Sequence, residues 1–237
     1  MNNNDSGLEK YYERWLTPLL QAASQDHPVL VLTGARQVGK STLLRHAEPF
    51  RQWRYYTLDN YDTLQQATEN PQSLWAGVTE VVLDEVQKAP QLLSAIKQAV
   101  DERPNQLRFV LSGSANLLLM QRITESLAGR AVYFVLNPMT LGELHGQPPT
   151  SLLTDALAGH WPSEGNLTQL PPDTTPLLLR GFLPRLWTLD RADAWLRWWE
   201  GYIATYLERD LRQMSQIDAL LDFRRVMELL ALSLIHI

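Results

Sequence analysis

A glycine-rich run near the start of the chain holds the residues whose types and spacing could do chemistry. Residues 34–41 read Gly-Ala-Arg-Gln-Val-Gly-Lys-Ser, a G-x4-G-K-S pattern that follows a short apolar run at 29–33. Glycines let backbone N–H groups turn inward around phosphate oxygens, and a helix beginning near Lys40 adds the partial positive charge of its N-terminus. Lys40 is expected to neutralise the terminal phosphates, and the Ser41 hydroxyl to bind Mg²⁺. The predicted nucleotide-binding residues are Gly34, Ala35, Arg36, Gln37, Val38, Gly39, Lys40 and Ser41.

Two adjacent carboxylates end a second apolar run. Residues 80–85 read Glu-Val-Val-Leu-Asp-Glu, so a parallel strand here brings Asp84 and Glu85 to the carboxyl edge of the sheet, beside the phosphates. Asp84 suits the second Mg²⁺ shell of a Walker B strand. Glu85 is expected to orient and polarise an attacking water. The alternative is that both acids only cap the helix that follows.

Two further side chains are candidates for a role near the terminal phosphate. Ser114, and after it Asn116, follow the apolar run 108–111 and could hydrogen-bond the phosphate or the attacking water; either could instead cap a helix over 117–127. Arg130 could act as an arginine finger, although an exposed arginine is more often a surface residue. Whether Arg130 acts in cis, in trans or not at all stays open, and so does the oligomeric state of the protein.

Strand-like and helix-like segments alternate through the first part of the chain. This order predicts an α/β fold, a P-loop parallel sheet of about five strands flanked by helices. The predicted strands are 29–33, 54–58, 81–83, 108–111 and 131–136, and the predicted helices are 8–24, with a bend at Pro18, 41–46, 64–75 and 91–100.

The composition changes after this alternation ends. Residues 146–176 hold six of the 14 prolines and no lysine or arginine, which predicts a linker or irregular excursion. The predicted organisation is an ATPase domain at 1–145, this segment, and a partial helical domain at 177–237. Four tryptophans, at 187, 195, 198 and 199, could stack on nucleic-acid bases, but their helical spacing favours packing.

Composition and missing motifs exclude several classes of protein. The chain of 237 residues has no cysteine, and its net charge of −5 gives no general attraction to nucleic acid. The sequence contains no Asn-Lys-x-Asp string, which a GTPase needs to recognise guanine. The proline-rich segment has no lysine or arginine and so lacks the basic lid of small-molecule kinases. Residues 1–7 lack the pattern of a signal peptide, and the apolar stretch 229–237 is shorter than the ~20 residues of a membrane span. A soluble cytoplasmic protein without membrane contact is expected.

Seven motifs together resemble one family. The motifs lie at 12–14, 33–42, 83–88, 111–116, 125–130, 138–144 and 206–210. They are similar to those of bacterial and archaeal AAA-type ATPases that join an N-terminal P-loop ATPase to a C-terminal domain of unknown function. The resemblance implies ATP and Mg²⁺ as ligands, with Thr42 joining Lys40 and Ser41 at the phosphates, and with Asp84 and Glu85 in metal binding and catalysis.

The resemblance also bears on partners. Members of the family continue into a winged-helix-like segment after about residue 231, which implies a DNA or protein partner through the C-terminal domain. The apolar end at 232–237 has no helix-capping glycine, so we expect a C-terminal domain that is cut short. The expected activity is Mg²⁺-dependent ATP hydrolysis. The alternative is a nucleotide-operated switch that turns over slowly and acts through a partner.

Overall fold

A five-stranded parallel sheet forms the centre of the computed structural model, which describes residues 11–104, 106–114, 127–149, 151–160, 173–207, 225, 226 and 229. The strands are β1 (Val29–Thr33), β2 (Arg54–Thr57), β3 (Glu80–Asp84), β4 (Arg108–Ser112) and β5 (Ala131–Val135), and their order across the sheet is β2-β3-β4-β1-β5. All four neighbouring pairs are parallel. This architecture confirms the predicted fold class.

Helices flank the sheet and continue into the C-terminal region. They are α1 (Thr17–Asp26), α2 (Lys40–His46), α3 (Tyr61–Glu69), α4 (Leu92–Glu102), α5 (Leu141–Leu144), α6 (Leu152–Leu157), α7 (Thr175–Arg180) and α8 (Ala192–Tyr202). Short 3-10 turns lie at Phe50–Gln52, Pro71–Trp75, Val86–Lys88 and Pro184–Thr188, and a π turn at Ile203–Leu207 follows α8. Along the described chain, no helix has the length and apolar character needed to cross a membrane.

Alternation along each strand divides the core into two layers. On one face of the sheet, Leu83, Phe109 and Leu111 pack in a layer with residues of α3 and α4. On the other face, Val82 and Val110 pack in a layer with residues of α2 and of the C-terminal region. Every second residue of a strand therefore faces α2. This alternation determines which polar side chains at the strand ends lie on the side of the phosphate loop.

Prolines account for two differences from the predicted helices. Pro18 does not bend a longer helix; it lies in the first turn of α1, where a missing N–H costs nothing. The predicted helix 64–75 is interrupted because α3 ends at Glu69 and a separate 3-10 turn begins at Pro71. Part of the predicted irregular segment 146–176 is also helical, at α6 and at the start of α7.

A buried ion pair joins four parts of the fold. Arg14 lies 3.3 Å from Glu143 of α5, measured from Nε to Oε1, with side chains 4% and 5% exposed. Arg14 also donates to the carbonyl of Val38 in the phosphate loop at 2.7 Å, and to the carbonyl of Asn137 after β5 at 2.6 Å. Glu143 in turn accepts from the Trp15 backbone N–H at 2.6 Å. The pair holds the segment before α1, the phosphate loop, the exit from β5 and α5 together.

Removing one member of this pair is expected to destabilise the fold strongly. Glu143→Ala leaves the Arg14 guanidinium buried without its carboxylate, which costs about 3–5 kcal/mol. The free energy of unfolding, measured by urea denaturation with circular dichroism, checks this value. Asp193→Ala is the matched control, because it removes the exposed pairs with Arg191 and Arg197 and should change stability little. Equal losses in the two variants would contradict an anchoring role for the buried pair.

Candidate nucleotide site

The loop between β1 and α2 has the backbone of an anion cradle. Gly34, Gln37 and Gly39 all have positive φ, at 147°, 61° and 98°. Gly39 is the N-cap of α2 and carries no side chain that could accept from the N–H groups of the first turn. The loop thus directs backbone donors to the place where phosphate oxygens are expected.

Lys40 begins α2 and folds back over this loop. Its side chain is buried, with the residue 6% exposed. The Nζ atom donates to the carbonyl of Gly34 at 3.0 Å and to that of Ala35 at 2.9 Å. A positive charge is therefore fixed at the centre of the loop.

The two predicted carboxylates lie where β3 ends, and they differ in environment. Asp84 is buried and accepts from the Tyr55 hydroxyl at 2.5 Å. Glu85 is half-buried in a left-handed conformation (φ 59°), and Gln87 donates to it. Burial, and next the Asp84 charge, raise the pKa of Glu85. Glu85 makes no side-chain cap to the Val86–Lys88 turn, which counts against the capping alternative.

A cleft of about 550 Å³ lies over these groups and has two walls. The first consists of the phosphate loop with the start of α2, together with Asp59 and Glu85. The second comes from the C-terminal region. Its lining residues are Pro184, Arg185, Thr188 and Trp198. The Tyr202 hydroxyl links the walls by donating to the Arg36 carbonyl at 3.2 Å.

Two further cavities continue from this cleft along α2. A small one of about 40 Å³ shares Thr42 and Pro184 with the cleft and reaches Tyr11. A larger one of about 540 Å³ also contains Tyr11. The Tyr11 ring stacks on His46, with ring centroids 5.0 Å apart. The aromatic ring of Tyr11 thus lines the cavities that continue from the phosphate loop.

The predicted serine after β4 is not among the residues that line the cleft. Ser114 is buried two residues beyond the strand, and Asn116 lies outside the described residues. Ser112, which the sequence analysis passed over, ends β4 on the face that carries Val110 and hence on the side of α2. It is fully buried, and its Oγ has no hydrogen-bond partner within the described part of the chain. The sequence feature that could have identified Ser112 is its position directly after the apolar run 108–111.

Arg130 lies at the wrong edge of the sheet for a finger acting in cis. It precedes β5, whose first residue pairs with Val29, whereas the phosphate loop follows Thr33. Val29 and Thr33 are four residues apart, so about 13 Å of strand, at 3.3 Å per residue, separates the level of Arg130 from the start of the phosphate loop. The Arg130 guanidinium binds both oxygens of Asp101, at 2.5 and 2.9 Å. Arg185 does line the cleft, together with Arg36 of the phosphate loop, and no sequence motif marks Arg185.

The tryptophans of the C-terminal region mainly pack against other side chains. Trp195, Trp198 and Trp199 lie against the core layer on the α2 side of the sheet. The guanidinium of Arg180 lies over two indole rings, 4.3 Å from Trp187 and 4.7 Å from Trp195. Trp198 also lines the cleft, so this packing shapes the second wall.

Comparison with known families agrees with this geometry. Residues 26–145 match the family model described as AAA domain, and residues 172–236 match a domain of unknown function, DUF8612. The chain belongs to the AAA domain family. The resemblance inferred from the motifs, to AAA-type P-loop ATPases with a C-terminal domain of unknown function, is confirmed.

Relatives of this AAA domain protein are longer than the chain. It is 29% identical over 214 residues to an uncharacterized protein of Mycobacterium bovis and to one of Mycobacterium tuberculosis, over 90% of the chain. The chain spans 42% of the length of these curated relatives. Among solved structures, a Walker-type ATPase of Pyrococcus abyssi matches with a TM-score of 0.46 and 16% identity, over 92% of this chain and 75% of that one.

The first glycine of the phosphate loop is expected to tolerate no side chain. An added Cβ at Gly34 would lie 2.3 Å from the backbone oxygen of Leu136, at a φ that disfavours other residues. Gly77→Ala is the matched control, because Gly77 also has positive φ but nothing within 4 Å. Left-handed strain alone costs about 1–2 kcal/mol. We expect Gly34→Ala to lose clearly more free energy of unfolding than Gly77→Ala in urea denaturation. Similar losses would mean that the clash is relieved by a shift of the backbone.

Proposed function

We propose that this protein binds ATP with Mg²⁺ and hydrolyses the bond between the β- and γ-phosphates. The observation that carries the proposal is that Glu85 lines the same cleft as Lys40 and Ser41. A carboxylate whose pKa is raised by burial is a better base, and it faces the groups that would hold the phosphates. The reaction class follows from this combination of a phosphate cradle and a base.

The oxygen ligands at the site fit Mg²⁺. Ser41 at the start of α2 offers a hydroxyl, and Asp84 at the end of β3 offers a buried carboxylate. The described residues contain no group of three or more acidic, histidine or cysteine side chains that could hold a metal by themselves. Mg²⁺ ordinarily takes one or two protein ligands, keeps several waters and completes its shell with substrate phosphates. When bound, it would neutralise charge on the β- and γ-phosphates.

The chain's own residues would then act on the nucleotide and the water. Lys40 exchanges its bonds to the loop carbonyls for bonds to phosphate oxygens. Glu85 accepts a proton as the water oxygen attacks the γ-phosphorus, while the bond to the bridging oxygen breaks and ADP leaves. Arg185 offers a guanidinium from the opposite wall to the negative charge that builds on the γ-phosphate.

The nucleoside part of ATP would follow the cavities along α2. Thr42 lies at the start of this path and the stacked Tyr11 ring at its end. An aromatic face offers stacking to a base, and stacking is worth about 1–3 kcal/mol per base. We assign Tyr11 to contact with the adenine on this ground.

A nucleotide-operated switch is the second candidate, and the link between Tyr202 and Arg36 favours it. This hydrogen bond couples the C-terminal region to the phosphate loop at 3.2 Å. Bound nucleotide could thereby control how the C-terminal domain meets a protein or DNA partner, with slow turnover. Tight ATP binding by the unaltered protein without phosphate release above background would support the switch and reject the enzyme.

Two substitutions in the cleft should separate binding from hydrolysis. Glu85→Gln should retain ATP binding, and its turnover should fall about 10²–10⁴-fold, which is the usual contribution of a general base to the rate. Lys40→Ala should lose both, because it removes the charge that holds the phosphates. Steady-state phosphate release and equilibrium dialysis with ATP measure the two properties. Glu80→Gln, at the exposed far end of β3, is the control and should leave both unchanged. Normal hydrolysis by Glu85→Gln would overturn the assignment of the base.

Arg185 should contribute to turnover more than to binding. Arg185→Ala is expected to lower kcat on the order of 10³-fold, the lower range for an arginine that stabilises the transferred phosphoryl group, with little change in ATP affinity. Arg191→Ala is the matched control, since Arg191 is exposed and pairs with Asp193 outside the cleft. Single-turnover phosphate release distinguishes the two variants. An unchanged kcat in Arg185→Ala would remove Arg185 from the catalytic groups.

A further inference from the structure

Tyr55 of β2 binds one of the two side chains to which we assign Mg²⁺ binding. Its hydroxyl donates to Asp84 Oδ2 at 2.5 Å. β2 lies beside β3 with Tyr55 opposite Val82, so Tyr55 and Asp84 both face α2. None of the sequence motifs includes this tyrosine.

The α2 helix also fixes the ring of Tyr55. The guanidinium of Arg45 lies 4.4 Å from the ring centroid. Arg45 lies in the last turn of α2, the helix that begins with Lys40 and Ser41. Its contact restricts the ring and with it the position of the hydroxyl.

Hydrogen-bond chemistry gives this arrangement a direction. A carboxylate only accepts, so the Tyr55 hydroxyl must donate to Asp84. The bond therefore runs from Tyr55 to Asp84 and occupies Oδ2.

Such a bond prepares a carboxylate to bind a cation. It occupies only one oxygen of Asp84 and fixes the plane of the carboxylate, the role that hydrogen-bonded partners of metal ligands usually play.

We propose that Tyr55 is a positioning residue of the Mg²⁺ site, which orients Asp84 through this hydrogen bond. The inference rests on the proposed function, because it assumes that Asp84 binds Mg²⁺ with the nucleotide. Tyr55 does not itself contact substrate in this role. Its effect is on the affinity for the metal.

The test measures Mg²⁺ affinity without relying on turnover. ADP binding is measured by isothermal titration calorimetry, in EDTA and across a series of MgCl₂ concentrations. Tyr55→Phe removes only the hydroxyl, and it should raise the Mg²⁺ concentration for half-maximal effect about 10–100-fold. ADP affinity in EDTA should stay within about twofold, since the phosphate loop is untouched. Tyr56→Phe is the matched control, because Tyr56 packs in the other core layer and should leave both values unchanged.

A double substitution tests the coupling to Asp84. Asp84→Asn should also weaken the Mg²⁺ effect, and Tyr55→Phe added to Asp84→Asn should weaken it less than Tyr55→Phe does alone, because the carboxylate that Tyr55 orients is already lost. Fully additive effects would overturn the coupling. A Mg²⁺ response in Tyr55→Phe equal to that of the unaltered protein, or a tighter one, would overturn the positioning role.

The unaltered protein distinguishes failure of this inference from failure of the proposed function. If its ADP affinity rises with Mg²⁺ and only the Tyr55→Phe result differs from expectation, the function stands and the role of Tyr55 is wrong. If it binds no nucleotide, or binds it equally in EDTA and Mg²⁺, the Mg²⁺-dependent function is wrong and the role of Tyr55 falls with it.

Discussion

The phosphate loop depends on a buried guanidinium behind it. Arg14 binds the Val38 carbonyl of the loop, the Asn137 carbonyl after β5 and the Glu143 carboxylate. A buried ion pair adds little net stability compared with an apolar pair, but it tolerates few alternative arrangements because each charge must keep its partner. The segment before α1, the loop and α5 therefore have one mutual arrangement. The position of Lys40, which follows this loop at the start of α2, depends on that arrangement.

The local charge of the cleft differs from the net charge of the chain. The whole chain carries a net charge of −5, and the cleft itself contains the acidic residues Asp59 and Glu85. Asp59 is compensated by Lys88 at 2.5 Å. In the proposed function, attraction to phosphate comes from fixed local groups, which are the loop backbone, the Lys40 ammonium and the arginines of the two walls. These local dipoles and charges would outweigh the net charge because they act at contact distance.

The sequence predicted those parts of the site that are set by local chain geometry. The glycine pattern, the strand before it and the carboxylates at 84–85 each occupy a few consecutive residues, and parallel strand ends must meet at one edge. Tyr55, Arg185 and Trp198 were missed because their contacts depend on tertiary packing. Tyr55 meets Asp84 across 29 positions of sequence, and Tyr202 meets Arg36 across 166. The position of Arg130 before β5 could not be predicted either, since a motif does not show which edge of the sheet an arginine reaches.

The second wall of the cleft has a consequence for how the chain is divided. The AAA domain match ends at residue 145, whereas Pro184, Arg185, Thr188 and Trp198 all fall within the match at 172–236. The two matched segments share a single cavity, because each supplies one of its walls. Neither segment by itself forms this cavity. A lineage that exchanged its C-terminal segment would have to rebuild one wall of the cleft at the same time.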